Sequence, residues 1–249
     1  MKYKAIIFDL DGTAIPSIPS GMPSSRLINT IKLLSEKICF SCATGRNWPL
    51  AKRAIRSLHL TSPCIISAGT QIINPVTEEI LWQKEIEKND VREIATIVQH
   101  YPYLIDLNDE IPDPVRVQRD DAFDKPLYLV NVKTVGDDMA GIICRKFNEI
   151  SSLICIKAIS QTKGFFDLHI TNKEATKENA IKQLYKLLNL DKKDVVGIGD
   201  GHNDTHLFNA VGYKVAMGNA VNELKSKADL VIGSIENDGL ALFIEGLYK

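Results

Sequence analysis

The sequence predicts an α/β fold: a doubly wound, mostly parallel sheet into which a separate α+β segment is inserted. Two observations support this. Towards both ends of the chain, short apolar runs alternate with amphipathic stretches, as in a parallel sheet covered by helices on both faces. In the middle, this rhythm gives way to a hairpin-like stretch and longer alternating segments, which are typical of an antiparallel sheet.

The core elements follow from this alternation. The predicted core strands are residues 4–8, 38–43, 63–67, 194–198, 213–217 and 229–232. The predicted core helices are about 24–36, 47–58, 175–189, 203–210, 220–227 and 238–248. Several of these helices begin after Ser, Asn or Asp, whose side chains cap helix N-termini.

The insertion is predicted to cover residues 83–171, so that 1–82 and 172–249 form a discontinuous core. A hairpin from about Ile72 to Ile86 leads into it. The insertion's predicted elements are helices at about 89–100 and 137–149 and strands near 103–107, 127–133, 153–159 and 165–170. The stretch from Asn108 to Pro126 is acidic, rich in proline and without clear periodicity, which predicts an exposed loop.

Composition limits the classes of function. The chain has 249 residues and 45% hydrophobic content, enough for a full core. A net charge of -1 gives no basic field for nucleic acid or an anionic membrane, and no window reaches the apolar length of a membrane span. Five cysteines, an odd number, favour a reducing compartment. We therefore expect a cytoplasmic monomer or weak homodimer with a small-molecule partner.

The first predicted strand runs directly into Asp9-Leu10-Asp11-Gly12-Thr13, which places two carboxylates where a buried strand meets solvent. A carboxylate fixed there can act as a nucleophile or as an oxygen ligand for a divalent cation. A calcium loop of the EF-hand type would need flanking helices and a Glu where this chain has Ser20. A plain surface turn stays possible on this motif alone.

Two further motifs carry groups that suit phosphate. The second predicted strand ends in Ala43-Thr44-Gly45-Arg46, where a hydroxyl and backbone amides precede a helix, although a simple helix cap would look the same. Lys177 stands where the chain re-enters the core after the insertion. It could reach the strand ends and neutralise a phosphate or crowded carboxylates, but a lone lysine is usually a solvated charge.

A second acidic loop, Gly199-Asp200-Gly201-His202-Asn203-Asp204, follows another buried strand. A dinucleotide fingerprint fails here because position 202 is His where the third glycine is required. Two acidic strand ends on one parallel sheet would converge on a magnesium site. His202 is a poor candidate ligand because hard Mg²⁺ favours oxygen.

In this order, the four motifs resemble those of the haloacid dehalogenase (HAD) superfamily of phosphohydrolases, and within it the Cof-type subfamily with a C2-type cap. The stretches 215–220 and 237–239, Val-Ala-Met-Gly-Asn-Ala and Asn-Asp-Gly, resemble the same subfamily. The resemblance spans nearly the whole core and little of the insertion. It implies a Rossmann-like HAD catalytic core and an inserted cap that selects the substrate.

The resemblance also implies an activity: a Mg²⁺-dependent phosphatase of small phosphorylated metabolites, with sugar phosphates favoured. Asp9 would be the nucleophile that forms an aspartyl-phosphate, and Asp11 the general acid and base. The implied metal ligands are Asp9, Asp200 and the backbone carbonyl of Asp11, with Asp204 acting directly or through water. The implied phosphate or substrate contacts are Gly12, Thr44, Gly45, Arg46, Lys177 and Asn203.

Alternatives and departures from the family pattern accompany this interpretation. The protein could instead be a phosphotransferase or mutase, or a catalytically weak phosphometabolite-binding protein; a dehalogenase would need neither Asp11 nor magnesium. Ala68 stands where relatives commonly carry Asn, and Glu178 where Gly is frequent. Glu178 would either place a negative charge near Lys177 or face solvent. Within the insertion, the predicted candidates for contacting a polyol or a second anion in the leaving group are Asp106, Asp109, Glu110, Asp113, Arg116 and Arg119.

Overall fold

The computed structural model describes residues 3–18, 20–103, 105–108, 126–160 and 162–248. The chain divides into two compact units: one comprises Met1–Trp82 and Lys177–Lys249, the other Gln83–Thr176. No helix within the described ranges is both long enough and apolar enough to cross a membrane.

The elements are as follows. In chain order the strands are β1 (Ala5–Phe8), β2 (Cys39–Cys42), β3 (Cys64–Ile66), β4 (Gln71–Ile73), β5 (Ile80–Gln83), β6 (Ile105–Leu107), β7 (Leu129–Val135), β8 (Leu153–Ile159), β9 (Phe166–Asn172), β10 (Val195–Gly199), β11 (Tyr213–Ala216) and β12 (Leu230–Val231). The helices are α1 (Ser25–Leu34), α2 (Trp48–Ser57), α3 (Lys88–Val98), α4 (Asp137–Asn148), α5 (Lys177–Leu188), α6 (Thr205–Ala210), α7 (Asn222–Ser226) and α8 (Gly239–Leu247). Every element predicted for the core has a counterpart whose ends differ by no more than about two residues, the usual uncertainty of element ends.

The first unit is built on a five-stranded parallel sheet in the order β12-β11-β10-β1-β2. Both faces are covered, because successive side chains of β1 enter different apolar layers. Phe8 packs into the layer that contains Ile31 and Ile55, whereas Ile7 packs with Ile181 on the other side. Burial on both faces explains why the central strands β1 and β10 appear in the sequence as continuous apolar runs.

The third predicted strand is placed differently from its neighbours. β3 pairs antiparallel with β4, in a separate sheet ordered β3-β4-β5, and a single bridge between Ala43 and Ile65 connects β3 to the end of β2. The turn between β4 and β5 is closed by Asn74, whose side-chain oxygen accepts hydrogen bonds from the amides of Val76 and Thr77. The parallel core sheet therefore ends at β2.

The second unit is an antiparallel sheet in the order β6-β7-β9-β8. It shares an apolar core with α3 and α4 that includes Ile94, Phe147 and Leu168. Asp106 lies on β6, 3.4 Å from the Lys133 ammonium group. The other candidates for contacting the leaving group lie outside the described residues: Asp109, Glu110, Asp113, Arg116 and Arg119.

Candidate active site

The carboxyl ends of three adjacent strands bring the predicted motifs together. Phe8 on β1 lies beside Cys42 on β2 and Ile198 on β10, so these strands end at the same edge of the sheet. The Asp9 amide continues the pairing by donating to the Ile198 carbonyl at 2.9 Å. Because parallel strands end together, Asp9 and the loops after β2 and β10 are neighbours.

A buried lysine joins two of these carboxylates. Lys177 Nζ donates to Asp9 Oδ1 and to Asp204 Oδ1, each at 2.7 Å. The exposed fractions of the three side chains are 2% for Lys177, 7% for Asp9 and 0% for Asp204. A buried ammonium group is stable only with partners of this kind, and Asp9 and Asp204 supply them.

Asp204 is fully engaged within the protein. Its Oδ2 accepts hydrogen bonds from the backbone amides of Asp200 and Gly201, at 3.0 and 2.9 Å. A Cβ on Gly199 would lie 2.5 Å from the Asp204 side chain, so this close approach requires glycine. With Oδ1 bonded to Lys177, Asp204 acts as the fixed centre of the acidic loop.

Asp200 faces the loop after β1. Its Oδ1 accepts a 2.8 Å hydrogen bond from the Thr13 hydroxyl. Gly12 lies against the other oxygen: a Cβ added to Gly12 would be only 2.1 Å from Asp200 Oδ2. Gly12 also has a φ of +75°. Gly12 is therefore required both by its backbone conformation and by the proximity of Asp200.

The three carboxylates could hold a cation together. One oxygen of each of Asp9, Asp200 and Asp204 lies within 4.8 Å of the others, and all three residues are buried. An oxygen-only donor set of this kind suits a hard cation such as Mg²⁺. Since both oxygens of Asp204 already accept hydrogen bonds, Asp9 and Asp200 offer the more available ligand atoms.

The three buried carboxylates place more negative charge in the cluster than Lys177 balances. Burial raises the pKa of Asp9 to about 7; Lys177 opposes this shift, while Asp204 and Asp11 add to it. Burial, followed by repulsion from Asp204 and Asp9, also raises the pKa of Asp200. Burial alone would lower the pKa of Lys177, but Asp204 and Asp9 outweigh it and raise that pKa overall. One lysine therefore only partly balances three carboxylates.

Asp11 is held by Arg46. The guanidinium group donates from Nε to Asp11 Oδ2 at 2.7 Å and from Nη2 to Asp11 Oδ1 at 2.5 Å. Arg46 Nη2 also donates to the Ile18 carbonyl at 3.0 Å. The bidentate pair fixes the Asp11 carboxylate, which the backbone alone would leave free to rotate.

The loop that begins at Thr44 is held by a left-handed segment after β3. Ser67 and Ala68 have φ values of 48° and 59°, and their amides donate to the carbonyls of Arg46 and Thr44 at 2.8 and 3.1 Å. The Thr44 hydroxyl accepts a hydrogen bond from the Arg46 amide at 3.1 Å. Ala68 thus contributes a backbone contact to this loop.

Three other predicted site residues are less directly engaged. The Gly12 amide donates to the Ile15 carbonyl at 2.8 Å, which closes the turn after β1. Gly45 and Asn203 are half-buried in their loops. Within the described part of the chain, no hydrogen bond joins the Asn203 side chain to the buried carboxylates.

Two neighbouring side chains point elsewhere. Glu178 accepts hydrogen bonds from Lys182 at 2.7 Å and Asn209 at 3.3 Å, so its charge is neutralised along α5 and α6. His202 Nδ1 lies 3.0 Å from Glu223 on α7. The cluster that could hold a cation consists of Asp9, Asp200 and Asp204 and does not include His202.

Sequence reasoning did not foresee three contacts of the site. The Thr13 hydroxyl bonds Asp200, and Arg46, which was predicted to contact phosphate or substrate, bonds Asp11. Asn219, which was not predicted as a site residue, donates to the Gly12 carbonyl at 2.8 Å. Thr13 and Arg46 lie inside quoted motifs, but a motif does not state which side chain contacts which. Asn219 lies within the stretch 215–220, whose resemblance to the subfamily was the only available signal.

Comparison with known proteins identifies the family. A family model described as haloacid dehalogenase-like hydrolase matches residues 6–125 and 106–244. The chain belongs to this family. The predicted membership, of the Cof type, is confirmed, and so is the predicted enzyme class, a phosphoric monoester hydrolase.

Relatives and solved structures agree with this assignment. Phosphoglycolate phosphatase 1 of Saccharolobus solfataricus is 28% identical over 247 residues, which cover 99% of this chain and 96% of the relative. The 5-amino-6-(5-phospho-D-ribitylamino)uracil phosphatase of Bacillus subtilis is 34% identical over 131 residues, 49% of this chain and 46% of the relative.

Solved structures with the same fold match almost the whole length of this haloacid dehalogenase-like hydrolase. A structure from Bacteroides thetaiotaomicron, studied among phosphatases of the haloalkanoate (HAD) enzyme superfamily, superposes with a TM-score of 0.82. It is 18% identical, and the match covers 98% of this chain and 94% of that one. The predicted fold class, a HAD-type parallel core with an inserted α+β cap, is confirmed.

Proposed function

We propose that this hydrolase is a Mg²⁺-dependent phosphatase of small phosphomonoesters, with sugar phosphates the favoured class, and that it works through an aspartyl-phosphate. The observation that carries the proposal is the buried cluster in which Lys177 contacts both Asp9 and Asp204 at 2.7 Å. It lies at the carboxyl edge of a parallel sheet, where α/β enzymes bind their ligands.

Asp9 is the nucleophile in this proposal. Lys177 occupies its Oδ1, which leaves Oδ2 to attack phosphorus. A bond forms between Oδ2 and phosphorus, and the bond between phosphorus and the leaving-group oxygen breaks. Water then hydrolyses the acyl phosphate, which releases inorganic phosphate and restores the Asp9 carboxylate.

Asp11 moves the protons. In its acid form it donates a proton to the leaving-group oxygen, and as the resulting carboxylate it accepts a proton from the attacking water. The paired hydrogen bonds from Arg46 hold the Asp11 carboxylate in one orientation. We propose that Arg46 acts on the substrate mainly through Asp11.

The transferring phosphoryl group needs donors for its oxygens. Lys177 supplies the positive charge that offsets repulsion between Asp9 and a phosphate dianion. We assign the remaining donors to the Thr44 hydroxyl and the backbone around Gly12 and Gly45, with Asn203 at the rim. The left-handed segment at Ala68 supports this assignment, because it occupies the Thr44 carbonyl and fixes the loop.

The three carboxylates fit a Mg²⁺ ion. Asp9 and Asp200 would bind it with side-chain oxygens and Asp11 with its backbone carbonyl, while Asp204 orients the loop through the amides of Asp200 and Gly201. When bound, Mg²⁺ supplies positive charge that stabilises the negatively charged transition state. The raised pKa values of Asp9 and Asp200 support this fit, because a cation would relieve the crowding of charge.

The unit Gln83–Thr176 is proposed to act as the cap that selects the leaving group and excludes water. The names of two relatives refer to phosphoglycolate and to a phosphorylated ribitylamino-uracil, both of them small phosphomonoesters. A cytoplasmic location is supported by the five cysteines, all of which are free thiols.

A phosphate-release screen tests this function. The purified protein is incubated with a panel of sugar phosphates, phosphoglycolate and nucleoside monophosphates, with Mg²⁺ or with a chelator. We expect turnover of several panel members that depends on the metal. Turnover that is equal in the chelator would overturn the metal assignment, and release from no panel member would overturn the phosphatase. Label transferred to an acceptor sugar in place of released phosphate would identify a transferase.

A further inference from the structure

A side chain outside the acidic and phosphate-binding motifs holds the turn that carries Asp11. Asn219, on the loop after β11, donates from Nδ2 to the Gly12 carbonyl at 2.8 Å. Its Oδ1 accepts a 3.0 Å hydrogen bond from the Ile235 amide. The nitrogen and the oxygen of the Asn219 amide thus connect the turn at Gly12 with the loop at Ile235.

The hydrogen bonds within this turn do not use the Gly12 carbonyl, which is bonded by another segment of the chain. The amides of Thr13, Ala14 and Ile15 all donate to the Leu10 carbonyl, and the Gly12 amide donates to Ile15. These bonds close the turn but do not engage the Gly12 carbonyl. Asn219 supplies that partner. The peptide group between Gly12 and Thr13 is then held at both ends, by Asn219 at the carbonyl at 2.8 Å and by the longer 3.2 Å bond from the Thr13 amide to Leu10.

The residues on both sides of this peptide belong to the site. Thr13 donates to Asp200 at 2.8 Å, and Asp11 is held by Arg46. The turn has little freedom to adjust, because Gly12 lies against the Asp200 carboxylate. A change in the tilt of this peptide group would therefore shift Thr13 and Asp11 together.

We propose that Asn219 is a positioning residue for the hydrolysis: by holding the Gly12 carbonyl it fixes the placement of Asp11 and Thr13. This inference rests on the proposed phosphatase function. A bridge that only joined two loops would affect stability alone. A positioning role predicts a loss of kcat with little change in KM, because substrate binding does not use the amide of Asn219.

The test compares Asn219→Asp, Asn219→Ala and a control, Asn237→Asp. The Asp variant keeps an acceptor for Ile235 but loses the donor to Gly12, whereas the Ala variant loses both. Asn237 lies in the same region, and its exposed side chain donates to Ser234 at 3.2 Å. It matches the change of charge without touching the turn.

Two readouts are measured. With p-nitrophenyl phosphate and Mg²⁺, we expect kcat to fall roughly tenfold to 100-fold in both Asn219 variants, with KM within about threefold. Amide hydrogen exchange, measured without substrate, should accelerate at least roughly tenfold in the peptide spanning residues 10–15. The Asn237 variant should match the parent protein in both.

The inference is overturned if the Asn219 variants match Asn237→Asp in kcat, if the loss lies in KM, or if exchange in residues 10–15 is unchanged. If the parent protein hydrolyses no phosphomonoester, the proposed function fails instead. Exchange in residues 10–15 then decides by itself whether Asn219 holds the turn.

Discussion

Lys177 donates a 2.7 Å hydrogen bond to Asp9 from a position where only 2% of the lysine side chain is exposed. Asp9 directly follows β1, and Lys177 is the first residue of α5. In sequence, Asp9 comes before the unit Gln83–Thr176 and Lys177 directly after it. A buried pair of this kind is costly unless each charge has a partner. Its position at the sheet edge makes it the centre of the site.

Replacing Lys177 should leave the charges of Asp9 and Asp204 without a cation and should also reduce activity. Lys177→Met leaves Asp9 and Asp204 buried without their cation, so we expect a loss of about 3–5 kcal/mol in unfolding free energy without Mg²⁺. The kcat should fall at least about 100-fold. Urea unfolding and phosphate release measure the two effects. Lys182→Met, on the exposed face of the same helix, is the control and should change stability by less than about 0.5 kcal/mol.

The nucleophile can be tested by a nearly isosteric change. Asp9→Asn should lower kcat by at least roughly 10⁴-fold while the protein stays folded, because an amide oxygen is a poor nucleophile. Rapid quench and mass spectrometry should find an acyl phosphate in the parent protein and none in the variant. Asp137→Asn, which removes an exposed carboxylate paired with Lys157, should retain full activity. An active Asp9→Asn protein would refute the assignment.

The acid role of Asp11 predicts a dependence on the leaving group. Asp11→Asn should reduce turnover of sugar phosphates by roughly 10²- to 10⁴-fold, since an alkoxide needs a proton to depart. Formation of the aspartyl-phosphate from p-nitrophenyl phosphate should suffer much less, because nitrophenolate leaves without one. Single-turnover rates on the two substrates give the comparison. Equal losses on both would exclude Asp11 as the acid.

Magnesium affinity should depend on pH near neutrality. The pKa of Asp9 is raised to about 7 from 3.8, the ordinary value for Asp. Folding therefore becomes less favourable as pH rises from about 4 to 7, and the loss levels off above 7. A cation needs the ionised carboxylate and must displace a proton below that pH. We expect Mg²⁺ affinity to fall by up to about tenfold per pH unit below 7 and to level off above 8. Calorimetric titrations at pH 6, 7 and 8.5 would show this, and a flat affinity would contradict it.

The left-handed segment at Ala68 predicts an unusual stabilising substitution. Ala68 has a φ of 59°, which costs an alanine about 1 kcal/mol or more. Ala68→Gly should therefore raise stability by about 0.5–1 kcal/mol, and Tm by about 1–4 °C. Ala95→Gly, inside α3, is the matched control and should lower stability by about 1 kcal/mol. Thermal unfolding of both variants tests whether the signs differ.

The grouping of the candidate site residues could be predicted because several of them follow buried strands. Asp9 and Asp200 come directly after apolar runs, and parallel strands must end at one edge. The pairing of β3 was harder to predict, since its apolar run suits a parallel or an antiparallel partner equally. The sequence left two environments open for Glu178, and the structure places it against Lys182 and Asn209.

The sequence by itself determined the order of the motifs, the alternation that forms the parallel core, and the family, because these depend on periodicity and local chemistry along the chain. Only the tertiary structure decided which groups contact each other: Lys177 with Asp9 and Asp204, Arg46 with Asp11, and Asn219 with Gly12. These contacts join residues that are far apart in sequence. Their distances and burial, and therefore the charge balance of the site, arise only when the strand ends and α5 pack together.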